Sequence, residues 1–165
     1  MIIRKANKFL MIFFSLCFLA CSNYVWYSEF KDFKNGWPLS APAIFSYSAT
    51  SDFKGNIYIS IRNDNYYPFS NIFLIASLLE NGIEISNDTL EYKMADKSGK
   101  FLGKGFGSVK ESLLFWKENI TLTSNSKYSV VIKHAMRKND SEFGMKTLPG
   151  IISVGINMID NNQNE

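Results

Sequence analysis

Residues Ile57 to Leu79 constrain this chain more than any other stretch. Ile57, Ile59 and Ile61 alternate with Tyr58, Ser60 and Arg62, the two-residue period of a strand that buries one face. A turn-rich passage from Asn63 to Asn71 follows. Then come eight nearly uniformly apolar residues, Ile72-Phe73-Leu74-Ile75-Ala76-Ser77-Leu78-Leu79, stopped by Asn81-Gly82. A run of that kind suits a strand covered on both faces, so the core is expected around this pair.

The same period recurs along the chain. Tyr24, Trp26, Ser28 and Phe30 alternate with Val25, Tyr27 and Glu29, and Ala43, Phe45, Tyr47 and Ala49 share a face. Leu90, Tyr92 and Met94 alternate with polar neighbours, as do Ile120 and Leu122. The cleanest stripe is Tyr128, Val130, Ile132, His134 and Met136; Ile152, Val154, Ile156 and Met158 form the last. Trp37 lies in a loop from Lys31 to Pro42 and is expected to plug one end of the core. Lys138 to Pro149 reads as a polar loop, and Asp160 to Glu165 as a fraying tail. Residues 108–118 fit two patterns. Ser108 and Glu111 have capping-box spacing with Val109, Leu113 and Trp116 on one helical face, whereas Leu113 and Phe115 also alternate with Leu114 and Trp116. That segment is a short helix or an irregular edge. The pattern predicts an all-β chain, an antiparallel β-sandwich of about eight strands with at most one short helix.

The amino end is of another kind. Arg4, Lys5 and Lys8 precede the apolar run Phe9 to Ala20, with no acid among them. Twelve residues are too few to span a bilayer but match a secretory signal. Phe18-Leu19-Ala20-Cys21 resembles the lipobox of bacterial lipoproteins, which implies a diacylglyceryl group on Cys21. Cys21 is the only cysteine beyond the cut, so no internal disulfide is available to it. The reading is a cleaved lipoprotein signal peptide over residues 1–20 and a single β-sandwich domain over 21–165 with an N-terminal lipid anchor. Acids do not cluster after Cys21, the first being Glu29, as they do in lipoproteins sent to the cell surface. The outer membrane's periplasmic side is therefore expected.

Composition excludes several functions. The net charge of +3 belongs entirely to the first twenty residues, and the remainder carries fifteen bases and fifteen acids. A nucleic-acid partner would need a basic surface, so none is expected. The single histidine, His134, forms no metal set and is read as a satisfied strand residue, because no serine sits in a nucleophile-elbow context. Gly103-Lys104-Gly105-Phe106-Gly107 lacks a phosphate loop's ending and instead permits close backbone approach or a bulge. No cofactor, metal, catalytic residue or small-molecule ligand is expected. Tyr66 and Tyr67, in the loop between the two core strands, either are exposed aromatics of the kind that stack on sugars or anchor a protein, or belong to a loop folded back over the end of the sandwich.

Taken in order, Arg62, Tyr67-Pro68-Phe69-Ser70-Asn71, Gly99, Leu102-Gly103-Lys104-Gly105, Tyr128, Met136-Arg137 and Gly150 to Ile156 with Gly155 resemble the gliding-motility-associated lipoprotein family GldH. The likeness spans nearly the whole chain after Cys21. It implies an envelope lipoprotein required for bacterial gliding, an interaction component of the motility machinery and its associated secretion apparatus, and no enzyme activity. The partners so implied are the membrane, through lipid on Cys21, and other envelope motility or secretion proteins. Arg62 and Arg137 are expected to pair with carboxylates or backbone carbonyls and fix loop geometry. The alternative is a glycan-binding β-sandwich lipoprotein of the outer membrane, which needs Tyr66, Tyr67 and Trp116 on one exposed face. An envelope hydrolase comes third.

Overall fold

The computed structural model describes residues 25–138 and 141–161, which form ten strands and, among the described residues, no helix. They are β1 (Val25–Asp32), β2 (Trp37–Pro38), β3 (Ala43–Ser48), β4 (Phe53–Asn63), β5 (Asn71–Glu80), β6 (Ile83–Lys93), β7 (Lys110–Leu122), β8 (Lys127–His134), β9 (Thr147–Leu148) and β10 (Ile151–Asp160). Eight are long. β2 and β9 form a two-residue pair of their own.

The long strands build two antiparallel sheets, ordered β1-β10-β4-β7 and β3-β8-β5-β6. Every pairing is antiparallel, and consecutive long strands change sheet at each step except the β5–β6 hairpin. That connectivity is a jelly roll, the double-sheet arrangement of two Greek keys. The hairpin turns at Asn81 and Gly82, whose φ angles of 49° and 84° are the positive values a two-residue turn between twisted strands requires.

The core lies between the sheets. Ile57, Ile59 and Ile61 from β4 face Ile72, Leu74, Ala76 and Leu78 from β5, all at 1% exposure or less. The stripe Tyr128, Val130, Ile132, His134 and Met136 is buried throughout. Trp37 does close one end of the core: it is fully buried, donates Nε1–H to the Ala41 carbonyl at 3.0 Å and stacks on Phe33.

Two expectations change and one open reading is decided. β5 is buried on one face only, because Phe73, Ile75 and Leu79 look outward and are merely half-covered. Of the two readings of residues 108–118 the irregular edge is the one formed: β7 starts at Lys110, pairs with β4 across register shifts and is the sheet edge. The helical pattern arises because Leu113 and Phe115 are apolar yet point out of the sandwich, at 53% and 45% exposure. Finally, β10 begins with Ile151 buried and Ile152 only partly so, since a bulge between Ile151 and Ser153 shifts the phase.

The β6 and β7 edges belong to different sheets but are stitched by side chains. The Tyr92 hydroxyl donates to the Phe115 carbonyl, and Trp116 Nε1–H and Lys117 Nζ both reach Asp88, at 3.1 Å and 2.7 Å. Lys117, then Ser86 and Trp116, hold the Asp88 carboxyl below the usual carboxylate range.

Candidate functional site

Antiparallel pairing sorts the connections into two ends. One end carries the turns at 49–52, 81–82 and 123–126, and also Val25, which pairs with Ile159 near the finish of β10. The opposite end carries the long connections at 33–42, 64–70, 94–109 and 135–150. Most of the family-motif residues lie at that long-loop end; they divide into three groups.

The first group is a stack on the outer face of the first sheet. Arg62 Nε donates to Glu111 Oε2 at 2.7 Å across the β4–β7 pair, and its guanidinium lies 3.9 Å from the centre of the Phe30 ring. Phe30 pairs directly with Gly155 on β10, where a Cβ would come within 2.6 Å of the ring. Gly155 therefore makes room for Phe30, and Phe30 carries Arg62. Asn157 Nδ2–H donates to Ser60 Oγ at 2.8 Å and Ser60 Oγ–H to Glu111 Oε1 at 3.3 Å, extending the network along the face.

The second group shapes the loops. Tyr67 is 3% exposed and donates its hydroxyl to the Asn71 carbonyl at 2.6 Å; burial pushes that hydroxyl above the ordinary phenol range. Its ring contacts Phe69 and Phe101. Asp96 caps the turn closed by Gly99, accepting from Ser98 N–H at 2.8 Å, the Ser98 hydroxyl at 2.6 Å and Lys100 N–H at 3.1 Å. These bonds, those of Ser98 foremost, hold its carboxyl low. Gly103 and Gly105 let loop 94–109 fold onto the start of β7. A Cβ on Gly103 would sit 2.8 Å from the Glu111 carbonyl oxygen, and one on Gly105 would sit 2.4 Å from that of Val109. Lys104 and Glu111 exchange backbone bonds of 2.8 Å and 2.7 Å there.

The third group converges on a cleft. Asn71, Met136 and Arg137 line an open hollow of about 830 Å³ on the outer face of the second sheet, with Phe69, Phe73 and Lys138. Met136 is buried and its sulfur accepts the Phe73 N–H at 3.2 Å, while Asn71 Nδ2–H donates to Glu91 at 2.8 Å. Both are thus fixed in place. Arg137 is exposed, and among the described residues no carboxylate or carbonyl bonds to its guanidinium. The expected pairing holds for Arg62 and not for Arg137. A second hollow adjoins the first, lined by Pro68, Met145 and Pro149 and sharing Phe69 and Lys138 with it.

The four long connections are also basic. By sequence they carry Lys34, Lys97, Lys100, Lys104, Arg137, Lys138 and Lys146 against Asp64, Asp96, Asp140 and Glu142. Their tips expose one aromatic ring each in three cases: Tyr66 at 81%, Phe106 fully and Phe143 at 81%.

Other candidates fare differently. Tyr66 is exposed, but Tyr67 and Trp116 are buried at 3% and 7%, so the common aromatic face that sugar stacking requires is not formed. His134 is a buried strand histidine, 1% exposed, with its ring edge on Trp37 and the Trp37 backbone within reach of the ring. Burial lowers its pKa, an effect the nearby Trp37 backbone only partly offsets. Cys21 lies outside the described residues. The sequence reading missed Glu111 and Phe30, which sit far from Arg62 in the chain and become its partners only through strand pairing. It also missed Phe106 and Phe143, whose one signal was an aromatic set among glycines or polar residues.

The chain matches the family model described as GldH lipoprotein over residues 25–158. It is 37% identical over 150 residues to the gliding motility lipoprotein GldH homolog of Christiangramia forsetii, covering 90% of this chain and 92% of that one. It is 32% identical over 153 residues to the gliding motility lipoprotein GldH of Flavobacterium johnsoniae, covering 92% and 95%. Among solved structures, a family 35 carbohydrate-binding module, Xyl-CBM35 in complex with a glucuronic acid containing disaccharide, superposes at a TM-score of 0.38 with 18% identity. That match covers 83% of this chain and 81% of the module; a likeness so distant speaks for no shared ligand.

Proposed function

Since the chain belongs to the GldH lipoprotein family, we propose that it serves bacterial gliding as an interaction component of the motility machinery and of the secretion apparatus tied to it. In this reading residues 1–20 are removed, Cys21 carries the lipid, and the domain stands on the periplasmic side of the outer membrane. The observation that carries the reading is the molecule's polarity. Val25 lies at the short-turn end, and four chain steps from Cys21 reach at most about 14 Å. The anchor therefore holds the short-turn end near the bilayer. The eleven-residue β4, at about 3.3 Å per residue, sets the long loops roughly 35 Å further out.

The arrangement favours binding over catalysis. The motif residues brace backbone or line an open cleft, and the one histidine is shut inside the core. Lipidation on two or more chains gives stable anchorage where one does not.

Deletion of the gene, followed by measurement of colony spreading and of secreted protein, tests the role. Loss of both, restored by the wild-type chain and not by Cys21→Ser, is the expected result. Normal spreading in the deletion strain would overturn it. Labelling with a palmitate analogue should mark the wild-type chain and leave Cys21→Ser unmarked.

A further inference from the structure

Resting on that reading, we propose that the cleft around Arg137 and the hollow beside it receive a segment of an acidic protein partner, an apolar side chain next to a carboxylate. The two arginines of the motif make the contrast. Arg62 is spent within the fold, bonded to Glu111 and stacked on Phe30. Arg137 stands at the mouth of a cleft with its guanidinium unbonded among the described residues. A planar fork of donors held open in this way matches a carboxylate bidentately.

The surroundings add the rest of the specification. Lys138 lines both hollows and reinforces the positive field, and among the described residues of the lining Glu142 carries the one carboxylate. The second hollow presents Pro68, Phe69, Met145 and Pro149, an apolar seat directly beside the cationic one. Phe69 is shared, so a single extended segment can place its carboxylate on Arg137 and its neighbouring apolar group over Phe69. The excess of lysines on the surrounding loops steers such a partner inward, and exposed Phe143 and Tyr66, on the same two loops as Glu142 and Phe69, offer aromatic contacts. A bilayer fits less well. It is flat and would meet the exposed loop tips first, whereas Arg137 lines an open cleft together with Phe69, Phe73 and Met136.

The test uses the full lipoprotein in detergent micelles with a fluorescent hexaglutamate peptide ending in leucine as the probe. Binding should weaken at least tenfold in Arg137→Glu, and by a similar factor on raising salt from about 50 to about 500 mM, since the contact is ionic. Lys54→Glu at the short-turn end should bind as wild type does. Arg137→Gln serves as the second variant if Arg137→Glu melts earlier. Equal binding by wild type and Arg137→Gln overturns the proposal, as does absence of binding to wild type. In cells, a photo-crosslinking residue at Tyr66 should capture a protein in the wild type and lose it in Arg137→Gln at equal abundance. Capture of lipid alone would overturn it in favour of a membrane surface. Spreading separates the two readings: a deletion strain that cannot spread beside an Arg137→Glu strain that spreads normally leaves the motility role standing and removes this site.

Discussion

Replacing Gly155 with Ala probes the outer-face stack in one step. The new methyl group would lie 2.6 Å from two atoms of the Phe30 ring and 2.9 Å from a third, so the ring must tilt away. It does not tilt freely, because it carries the Arg62 guanidinium 3.9 Å from its centre, and Arg62 is tied to Glu111 at 2.7 Å. Crowding of this kind costs about 1–3 kcal/mol, and loss of the cation–ring contact about 0.5–1 kcal/mol. Against this, Ala in an extended backbone recovers about 0.5–1 kcal/mol of chain entropy that Gly loses on folding. The net expectation is a loss of about 1–3 kcal/mol, or a Tm lower by about 2–12 °C for a domain of this size. Urea and thermal unfolding of Gly155→Ala, Phe30→Ala and the double variant read it out. Removing the ring removes the three atoms nearest the methyl group, so Gly155→Ala in the Phe30→Ala background should be neutral or slightly stabilising. The coupling between the two changes should then be about 1–3 kcal/mol. If Gly155→Ala destabilises both backgrounds equally, the space it fills is not the one that Phe30 occupies, and the reasoning fails.

Three further outcomes follow from the same geometry. Gly150→Ala should be far worse than Gly155→Ala: its φ is 74° and its Cβ would lie 2.1 Å from the Tyr67 backbone nitrogen, which cannot step aside. Together, left-handed strain of about 1–2 kcal/mol and backbone overpacking of about 1–3 kcal/mol should leave little folded protein, as circular dichroism and envelope abundance would report. Arg62→Ala should lower stability by about 1 kcal/mol, the pair being more than one-third exposed, whereas Arg137→Ala should leave the urea midpoint unchanged; equal losses would contradict the division drawn between them. Stability should also fall in mild acid. His134 is held neutral in the fold with its pKa below the ordinary value, while the unfolded chain protonates near about 6.5. Its contribution is thus complete above that pH and is lost as pH drops towards the folded value. The urea midpoint should fall between pH 7.5 and 5.5 in the wild type and stay flatter in His134→Gln; identical slopes would rule this out.

What the sequence discloses and what it hides divide along one physical line. Alternation reports burial on a single strand, so the stripe from Tyr128 to Met136 and the triplet Ile57, Ile59 and Ile61 were legible, and with them the all-β class. β7 was not, because Leu113 and Phe115 are apolar for the outer face while Leu114 and Trp116 are apolar for the core. Two-sided apolarity erases the period. Bulges after Gly55 and Ile151 shift phase without any local signature beyond a glycine. The candidate site was less legible still. Arg62 meets Glu111 and Phe30 through pairings that cross 49 and 32 residues of chain, and the cleft at Arg137 draws on two connections and on strands β5 and β6. Such meetings are properties of the topology, and a residue's own neighbours say nothing of them.

The topology also says which parts of the chain it does not need. At the short-turn end the crossings between sheets, 49–52 and 123–126, are each made in four residues, so four residues suffice to pass from one layer to the other. At the opposite end crossings of the same kind run from 94 to 109 and from 135 to 150. Connections of that length are uncommon in compact domains unless they serve a purpose of their own. Nor is this surplus slack: Gly103 and Gly105 press one loop onto β7, Gly150 presses the other against Tyr67, and Asp96 pins the intervening turn. Among the described residues, chain that the fold does not require is thus fixed closely in place, which is what the proposed docking of a partner needs. It lies at the end that an anchor near Val25 would hold farthest from the bilayer, where Arg137 and the exposed rings of Tyr66, Phe106 and Phe143 are presented.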